Sequence, residues 1–208
     1  MDLKDQRKVY EKFELHEESV KHNPFDQFKN WFVDTKNSEI LEANAMTLAT
    51  ASKDGKPSAR IVLLKEVTET GFVFFTNYNS QKGMDLAENP QAEILFFWDA
   101  LERQVRIGGN VKKISQDESR AYFDTRPPES RAGAIASPQS QKIESRAVIE
   151  EKIKTVLAEN KLDMPENWGG YILEPNYFEF WQGRHSRLHD RIIYELMEGS
   201  WKVGRLAP

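Results

Sequence analysis

Ala59-Arg60-Ile61-Val62-Leu63-Leu64-Lys65-Glu66-Val67 and Gly71-Phe72-Val73-Phe74-Phe75-Thr76 are two β-branched and aromatic runs, separated only by Thr68-Glu69-Thr70. Such runs at such spacing predict two strands joined by a short turn. Upstream, Ala45 to Ala51 alternates imperfectly and leads into the hairpin-like turn Lys53-Asp54-Gly55-Lys56. Downstream, Glu93 to Trp98 and Gln104 to Ile114 continue the series. Strands this close, with short turns, predict an antiparallel barrel rather than βαβ units.

Helices flank the strands. Asn23-Pro24 reads as an N-cap with proline at the first helical position, and Phe25, Phe28, Trp31 and Phe32 form a stripe that such a helix buries. Ser80 caps a short helix that ends near Glu88, before Asn89-Pro90. Ser115-Gln116-Asp117-Glu118 is a capping box whose helix runs to about Thr125 and stops before Pro127-Pro128. Further helices are expected over Glu129–Ala136 and Ile143–Asn160. Trp168–Leu173, Tyr177–Gln182, Arg191–Leu196 and Trp201–Arg205 read as closing strands, which makes the class α+β. Residues 1–22 are highly charged, with little apolar periodicity, and read as an arm or an exposed helix before a single domain over 23–208.

Composition narrows the chemistry. The chain has 208 residues, 39% of them apolar and 30% charged, which is a globular composition with enough length for a core. Lys plus Arg is 29 and Asp plus Glu is 33, a net charge of −4, so no global field favours nucleic acid and any anion site is a local cluster of cations. Cysteine is absent, which excludes disulfides, thiolate metal sites and cysteine nucleophiles and fits a reducing compartment. With no signal-peptide-like apolar core near the N-terminus and no long apolar run, the expected location is the cytoplasm. There is no G-x-G-x-x-G after a strand, no P-loop and no G-x-S-x-G. His185 and His189 have metal-ligand spacing, but Arg184, Arg187 and Arg191 flank them and would repel a divalent cation.

The cations stand in suggestive places. On one regular strand Arg60, Val62 and Leu64 share a face and Lys65 takes the other, so the two cations serve two neighbouring anions, or one anion if a bulge re-aims one of them. Ser80-Gln81-Lys82 brings backbone N–H groups, a hydroxyl and an ammonium together at a helix start. Tyr122 and Arg126 lie one turn apart and can grip one phosphate, with Ser130 beyond a break at Pro127. The densest cluster, Trp181 to Arg191, holds three arginines, two histidines and one acid between 184 and 191. Each cluster also has a bland reading: strand-end charges, an ordinary N-cap, a helix C-terminus and a solvated loop.

Taken together, R-I-V-L-L-K, F-F-T-N, E-R-Q-V, Y-F-D-T-R-P-P-E-S, S-P-Q-S, W-G-G-Y, F-W-Q-G, R-L-H-D-R and the terminal R-L-A-P resemble the pyridoxamine 5′-phosphate oxidase family, in order and over nearly the whole chain. The resemblance implies an FMN-binding split β-barrel and a homodimer with FMN at the interface. It assigns flavin contacts to Arg60, Ile61, Val62, Leu63, Leu64, Lys65, Phe75, Thr76, Lys82, Gln104, Gln139, Ser140, Trp181 and Arg191. Lys65, Tyr122, Arg126 and Ser130 would hold the substrate 5′-phosphate, and Arg187, Leu188 and His189 would lie by its pyridine ring. Arg7 and Tyr10 match a mobile segment that closes over the substrate. Two residues depart from the pattern: Gln81 replaces an arginine of the flavin-phosphate motif, and Phe75 stands where tyrosine is frequent.

The implied reaction oxidises pyridoxamine or pyridoxine 5′-phosphate to pyridoxal 5′-phosphate. O2 is the acceptor, with release of hydrogen peroxide and, from the amine, ammonia. Arg187 and His189 are the catalytic candidates; Arg187 orients rather than acts as a base, because guanidinium stays protonated, and His189 is expected to assist proton transfer or to hold Arg187 in place. Other split-barrel flavoproteins, such as flavin reductase-like ones, would not carry Y-x-x-x-R-P-x-x-S together with R-L-H-D-R. A barrel that binds RNA is disfavoured by the acidic balance, and one that stores pyridoxal phosphate would release no peroxide.

Overall fold

The computed structural model describes residues 1–5 and 8–208. It has nine strands and five α-helices among the described residues, in the order α1 (Pro24–Lys36), β1 (Ala45–Ala51), β2 (Pro57–Leu63), β3 (Glu66–Val67), β4 (Phe72–Asn77), α2 (Gln81–Glu88), β5 (Gln91–Trp98), β6 (Arg103–Lys113), α3 (Gln116–Asp124), α4 (Pro128–Ala136), α5 (Arg146–Ala158), β7 (Trp168–Gln182), β8 (Asp190–Met197) and β9 (Ser200–Arg205). Hydrogen-bonded neighbours follow the order β2-β1-β5-β6-β7-β4-β3, with β8 pairing β7 and β9 pairing β8. The β3–β4, β4–β7, β7–β8 and β8–β9 ladders are antiparallel. None of the helices is long and apolar enough to cross a membrane, among the described residues.

The chain forms two compact units. One comprises residues 1–48, 93–109 and 175–208; the other comprises 49–92 and 110–174. In the first, the Asn23 side chain accepts the Phe25 N–H at 2.9 Å, and Pro24 opens α1 where no intrahelical donor is needed. The stripe of α1 then lands on aromatic strands. Phe28 lies 5.2 Å from Phe96, Trp31 meets Phe180 edge-on at 5.2 Å, and Phe25 lies 5.4 Å from Phe178. Phe28 is 1% exposed, and truncating such a ring to alanine costs about 3–5 kcal/mol.

In the second unit, Phe123, Met164 and Trp168 form a core cluster over which Phe75 and Tyr122 pack. The expected capping box is present, with Ser115 and Glu118 bonded reciprocally. Gly83, in the first turn of α2, sits so close to the Tyr78 carbonyl that a Cβ would lie 2.1 Å from its oxygen.

Two expectations about the elements are corrected. The run Ala59–Val67 is not one strand: β2 ends at Leu63 and β3 begins at Glu66. Leu64 and Lys65 fall between them, with the Lys65 N–H donating to the Val73 carbonyl at 2.9 Å. Conversely, Trp168–Leu173 and Tyr177–Gln182 are one strand, β7. Pro175 is tolerated inside it because the β4 ladder ends at Leu173 and the β8 ladder begins at Tyr177, so the missing N–H falls in the gap between those ladders. In the N-terminal segment, read as an arm or an exposed helix, residues 8–22 contain no α-helix; a single 3-10 turn covers Glu17–Ser19.

Candidate active site

The second unit encloses a cavity of about 690 Å³, of the size that small-molecule sites have. One wall is Ile61, Val62, Leu63 and Lys65, at the end of β2 and in the break after it. Lys65 shares this wall with Ile61 and Leu63, the alternate positions that precede it. Phe75 lies across β4, opposite Gly170 in the β7 ladder. A Cβ on Gly170 would come within 2.8 Å of the Phe75 ring, so the glycine gives that ring room. The ring stacks on Tyr122 at 4.0 Å and on Trp168 at 5.4 Å.

At one place in the cavity wall stands Lys82, in the first turn of α2, 7% exposed. Its Nζ donates to Gln139 Oε1 at 3.0 Å, Thr76 Oγ1 at 3.2 Å and Ser80 Oγ at 3.3 Å. All three acceptors are neutral, and no ion pair to Lys82 exists among the described residues. Burial, reinforced by the charge of Arg60, pushes the ammonium down to about 8. Arg60 itself donates to Thr50 Oγ1 at 2.8 Å and Ser58 Oγ at 2.5 Å and stands 3.9 Å from Asp85. Asp85 also accepts from Thr50 and from the Gln81 amide, at 2.6 and 2.8 Å.

Arg126, past the end of α3, carries a second unsatisfied cation. Its Nη1 is buried without a hydrogen-bond partner, and its Nη2 donates to the Ser130 carbonyl at 3.0 Å. The guanidinium lies 5.0 Å over the Trp168 ring, and burial lowers its proton affinity. Tyr122 and Ser130 line the cavity beside it, so the break at Pro127 does not part them. A buried donor without a partner costs about 1–3 kcal/mol unless a ligand satisfies it.

The first unit holds a smaller cavity, about 400 Å³, lined by residues 8–10, Arg184–Arg187 and His189. The His189 ring packs on Trp181 at 4.6 Å, and Tyr10 meets both rings edge-on. A Cβ on Gly183 would lie 2.7 Å from Tyr10, so only glycine leaves space for that ring. His189 Nδ1 accepts the Arg184 backbone N–H at 3.1 Å. Burial first, then the Arg187 charge, lower its proton affinity. A neutral ring that accepts at Nδ1 carries its proton on Nε2 and offers a donor there. Ser186 and Arg187 both adopt the left-handed backbone, at φ 56° and 63°, which non-glycine residues hold only when their surroundings impose it.

A family described as pyridoxamine 5′-phosphate oxidase matches residues 33–160, and one described as the pyridoxine 5′-phosphate oxidase C-terminal dimerisation region matches 168–208. The chain belongs to the pyridoxamine 5′-phosphate oxidase family. It is 51% identical over 212 residues to a pyridoxine/pyridoxamine 5′-phosphate oxidase of Acinetobacter baumannii, covering 100% of this chain and 97% of the relative. It is 53% identical to one of Nostoc punctiforme, covering 98% and 97%. Among solved structures it is similar to PhzG from Burkholderia lata 383 in complex with tetrahydrophenazine-1-carboxylic acid, with TM-score 0.89, 29% identity and coverage of 93% and 98%. It also shares its fold with a pyridoxamine 5′-phosphate oxidase-related, FMN-binding protein of Nostoc punctiforme (TM-score 0.72, 18% identity, coverage of 89% and 98%). The α+β antiparallel split-barrel architecture expected of the oxidase family is the one this chain adopts.

Set on this fold, the expected site residues of the oxidase family fall in several places. Ile61, Val62, Leu63, Lys65, Phe75, Thr76, Lys82, Gln139, Tyr122, Arg126 and Ser130 line the large cavity. Arg60, Leu64, Gln81 and Ser140 do not line it; Ser140 turns the chain next to Gln139 at φ 69°. Tyr10, Arg187 and His189 line the small cavity, Trp181 packs against it, and Leu188 is exposed. Gln104 lies on β6, half-buried. Arg7 lies outside the described residues. Arg191 is strongly committed: it grips the buried Glu179 with Nε at 2.8 Å and Nη2 at 3.1 Å and gives Nη1 to the Ala207 carbonyl. Burial raises the Glu179 carboxyl, but hydrogen bonds and charge from Arg191, with Arg106, bring it below its usual range. Two N–H groups of Arg191 remain for a ligand.

Residues without an expected role also stand in these walls. Trp168 stacks in the aromatic wall, for which W-G-G-Y was the available signal; Ser80 bonds Lys82, as the grouping of its hydroxyl with that ammonium at the helix start suggested. Arg184, His185 and Ser186 line the small cavity; the dense cluster from Trp181 to Arg191 marked the region, but the resemblance gave these three no role.

Proposed function

We propose that this protein oxidises pyridoxamine 5′-phosphate and pyridoxine 5′-phosphate to pyridoxal 5′-phosphate with FMN as cofactor. O2 is the acceptor; hydrogen peroxide is released, and ammonia when the amine is the substrate. The observation that carries this reading is a pair of uncompensated cations in one cavity wall. The Lys82 ammonium is buried among neutral acceptors, and Arg126 Nη1 is buried with no partner. A site for two phosphorylated ligands needs two such places.

The residues present fit the cofactor. Lys82, Thr76, Ser80 and Gln139 would hold the flavin phosphate, supported by Arg60 and Gln81 around Asp85. Ile61, Val62, Leu63 and Phe75 line the cavity and would offer an apolar surface to a flat ring; Leu64 and Ser140, outside that lining, would meet the flavin only through the backbone beside Leu63 and Gln139. When bound, FMN supplies hydride acceptance. The remaining flavin contacts, Gln104, Trp181 and Arg191, are assigned to the homodimer that the C-terminal region would build, with the flavin at the subunit interface.

Arg126, Tyr122, Ser130 and Lys65 would anchor the substrate phosphate and so fix the distance to its reactive carbon. Arg187 would stand by the pyridine ring and, as a permanent cation, disfavour a protonated substrate amine. His189, with its proton on Nε2, would orient an acceptor on the substrate rather than remove a proton. Leu188 would flank the ring, and Arg7 and Tyr10 would close over it from the N-terminal segment.

The test is direct. The purified protein should carry a flavin absorbance spectrum and release peroxide in air when pyridoxamine 5′-phosphate is added, in equal amount to the aldehyde formed. A protein that takes up FMN yet releases no peroxide with either vitamer would refute the oxidase reading.

A further inference from the structure

The turn Asp99–Leu101 and the two residues after it make an unusual set of contacts. Glu102 adopts the left-handed backbone, φ 55°, a conformation that favours glycine, yet its side chain is 2% exposed and acts as an acceptor. Its Oε2 takes the backbone N–H groups of Glu11 and Lys12, at 2.9 and 3.1 Å. The carbonyls of Asp99 and Ala100 take the ammonium groups of Lys8 and Lys12. Arg103, buried and paired with Asp34 at 2.7 Å, is sandwiched between the rings of Phe13 and Trp31, at 4.8 and 4.5 Å. One short stretch thus holds the N-terminal segment at several points between Lys8 and Phe13.

The same stretch holds the opposite wall of the small cavity. The Glu102 carbonyl accepts the Gly183 N–H at 2.7 Å, and the fully buried Gln182 donates to the Leu101 and Glu102 carbonyls. Gln182 Oε1 in turn accepts from Arg103 Nε at 3.0 Å. Tyr10 belongs to the first wall and packs on Gly183 of the second.

We infer that residues 99–103 are a positioning clamp for substrate binding, with Glu102 and Arg103 seating Tyr10 against the Gly183–His189 wall. This rests on the reading of the Tyr10–His189 cavity as part of the substrate site. The clamp does no chemistry; it sets how often the N-terminal wall is in place, and its loss raises KM by lowering the competent fraction.

Glu102→Gly separates the carboxylate from the backbone, because glycine accepts the left-handed conformation without strain. In the flavin-loaded enzyme, tryptic cleavage after Lys8 or Lys12 should become at least about tenfold faster, since a buried charged acceptor for two N–H groups is lost. KM for pyridoxamine 5′-phosphate should rise by about tenfold, with kcat changed less than about twofold. Glu102→Gln keeps an acceptor oxygen and should fall between the two. Phe13→Ala is an independent variant that spares the core, since Phe13 is 41% exposed, and it should move both readouts the same way. Wild-type cleavage rates in both Glu102→Gly and Phe13→Ala would overturn the clamp. Faster cleavage with unchanged KM would overturn its role in substrate binding. A wild-type enzyme that turned over neither vitamer would instead sink the functional reading, while the protease arm would still decide the seating.

Discussion

Replacing Lys82 with methionine should stabilise the flavin-free protein while weakening its hold on FMN. Burial and the Arg60 charge pull the ammonium from 10.5 down to about 8. Each tenfold loss of proton affinity is about 1.4 kcal/mol, so the charge costs the fold about 3 kcal/mol at neutral pH. The folded value lies below the unfolded one. The cost is therefore complete below pH 8 and fades as pH climbs towards 10.5, where Lys82 is neutral in both states. Methionine removes it at similar volume. The three lost hydrogen bonds return little of it. Thr76 still donates to Gln139, Ser80 still donates to the Asn77 carbonyl, and Gln139 still accepts from Thr76. The net expectation is a gain of about 1–2 kcal/mol for the flavin-free protein near pH 7, after about 0.5 kcal/mol per lost bond. FMN binding should weaken by about 10- to 150-fold, the equivalent of one charge-assisted bond of about 1.5–3 kcal/mol. Urea unfolding at fixed protein concentration, near pH 7 and again near pH 10, measures the first quantity; quenching of flavin fluorescence measures the second. The stability gap should narrow at the higher pH. A variant less stable than wild type near pH 7, with an unchanged FMN Kd, would refute the reasoning.

Arg126→Ala should raise KM for the phosphorylated substrate by about 10- to 100-fold, with bound flavin little changed, if the buried Nη1 donor is the one that meets the substrate phosphate; an unchanged KM would deny it a phosphate contact. Arg187→Ala should lower kcat far more than FMN content, and equal loss of both would remove Arg187 from the catalytic pair. Gln81 already donates to Asp85 at 2.8 Å, so Gln81→Arg should keep that partner, add a cation and lower the FMN Kd by about three- to tenfold. An unchanged Kd would mean that Lys82 and Arg60 already saturate the phosphate.

Local chemistry made most elements legible. Asn23-Pro24, Ser80 and Ser115-x-x-Glu118 mark helix starts because each supplies an acceptor to orphan N–H groups, and all three helices begin there. The break at Leu64–Lys65 was not legible, because the four apolar residues Ile61–Leu64, with Val67 soon after, favour an unbroken strand; the break is imposed by tertiary pairing, with Lys65 N–H bonded to Val73. The continuity of β7 was hidden too: Trp168–Leu173 and Tyr177–Gln182 read as two strands, and their union across Pro175 depends on a gap between two ladders that only the register reveals.

The large cavity draws on β2, β4, α2, α3, α4 and the start of β7, segments up to about a hundred residues apart in sequence. The family motifs marked most of its residues individually, but neither motif nor spacing showed that Lys82 lacks an anionic partner or that Arg126 Nη1 is orphaned. The commitment of Arg191 to Glu179 was equally hidden, because the two lie on neighbouring strands and only their pairing brings them together.

The most direct measurement of the central claim is the visible spectrum of the FMN-loaded protein in the absence of oxygen, before and after pyridoxamine 5′-phosphate is added. Two cations that hold a flavin phosphate and a substrate phosphate in one cavity should let the vitamer bleach the oxidised flavin band, with pyridoxal 5′-phosphate formed in equal amount. A flavin band that stays oxidised with saturating vitamer would contradict the account.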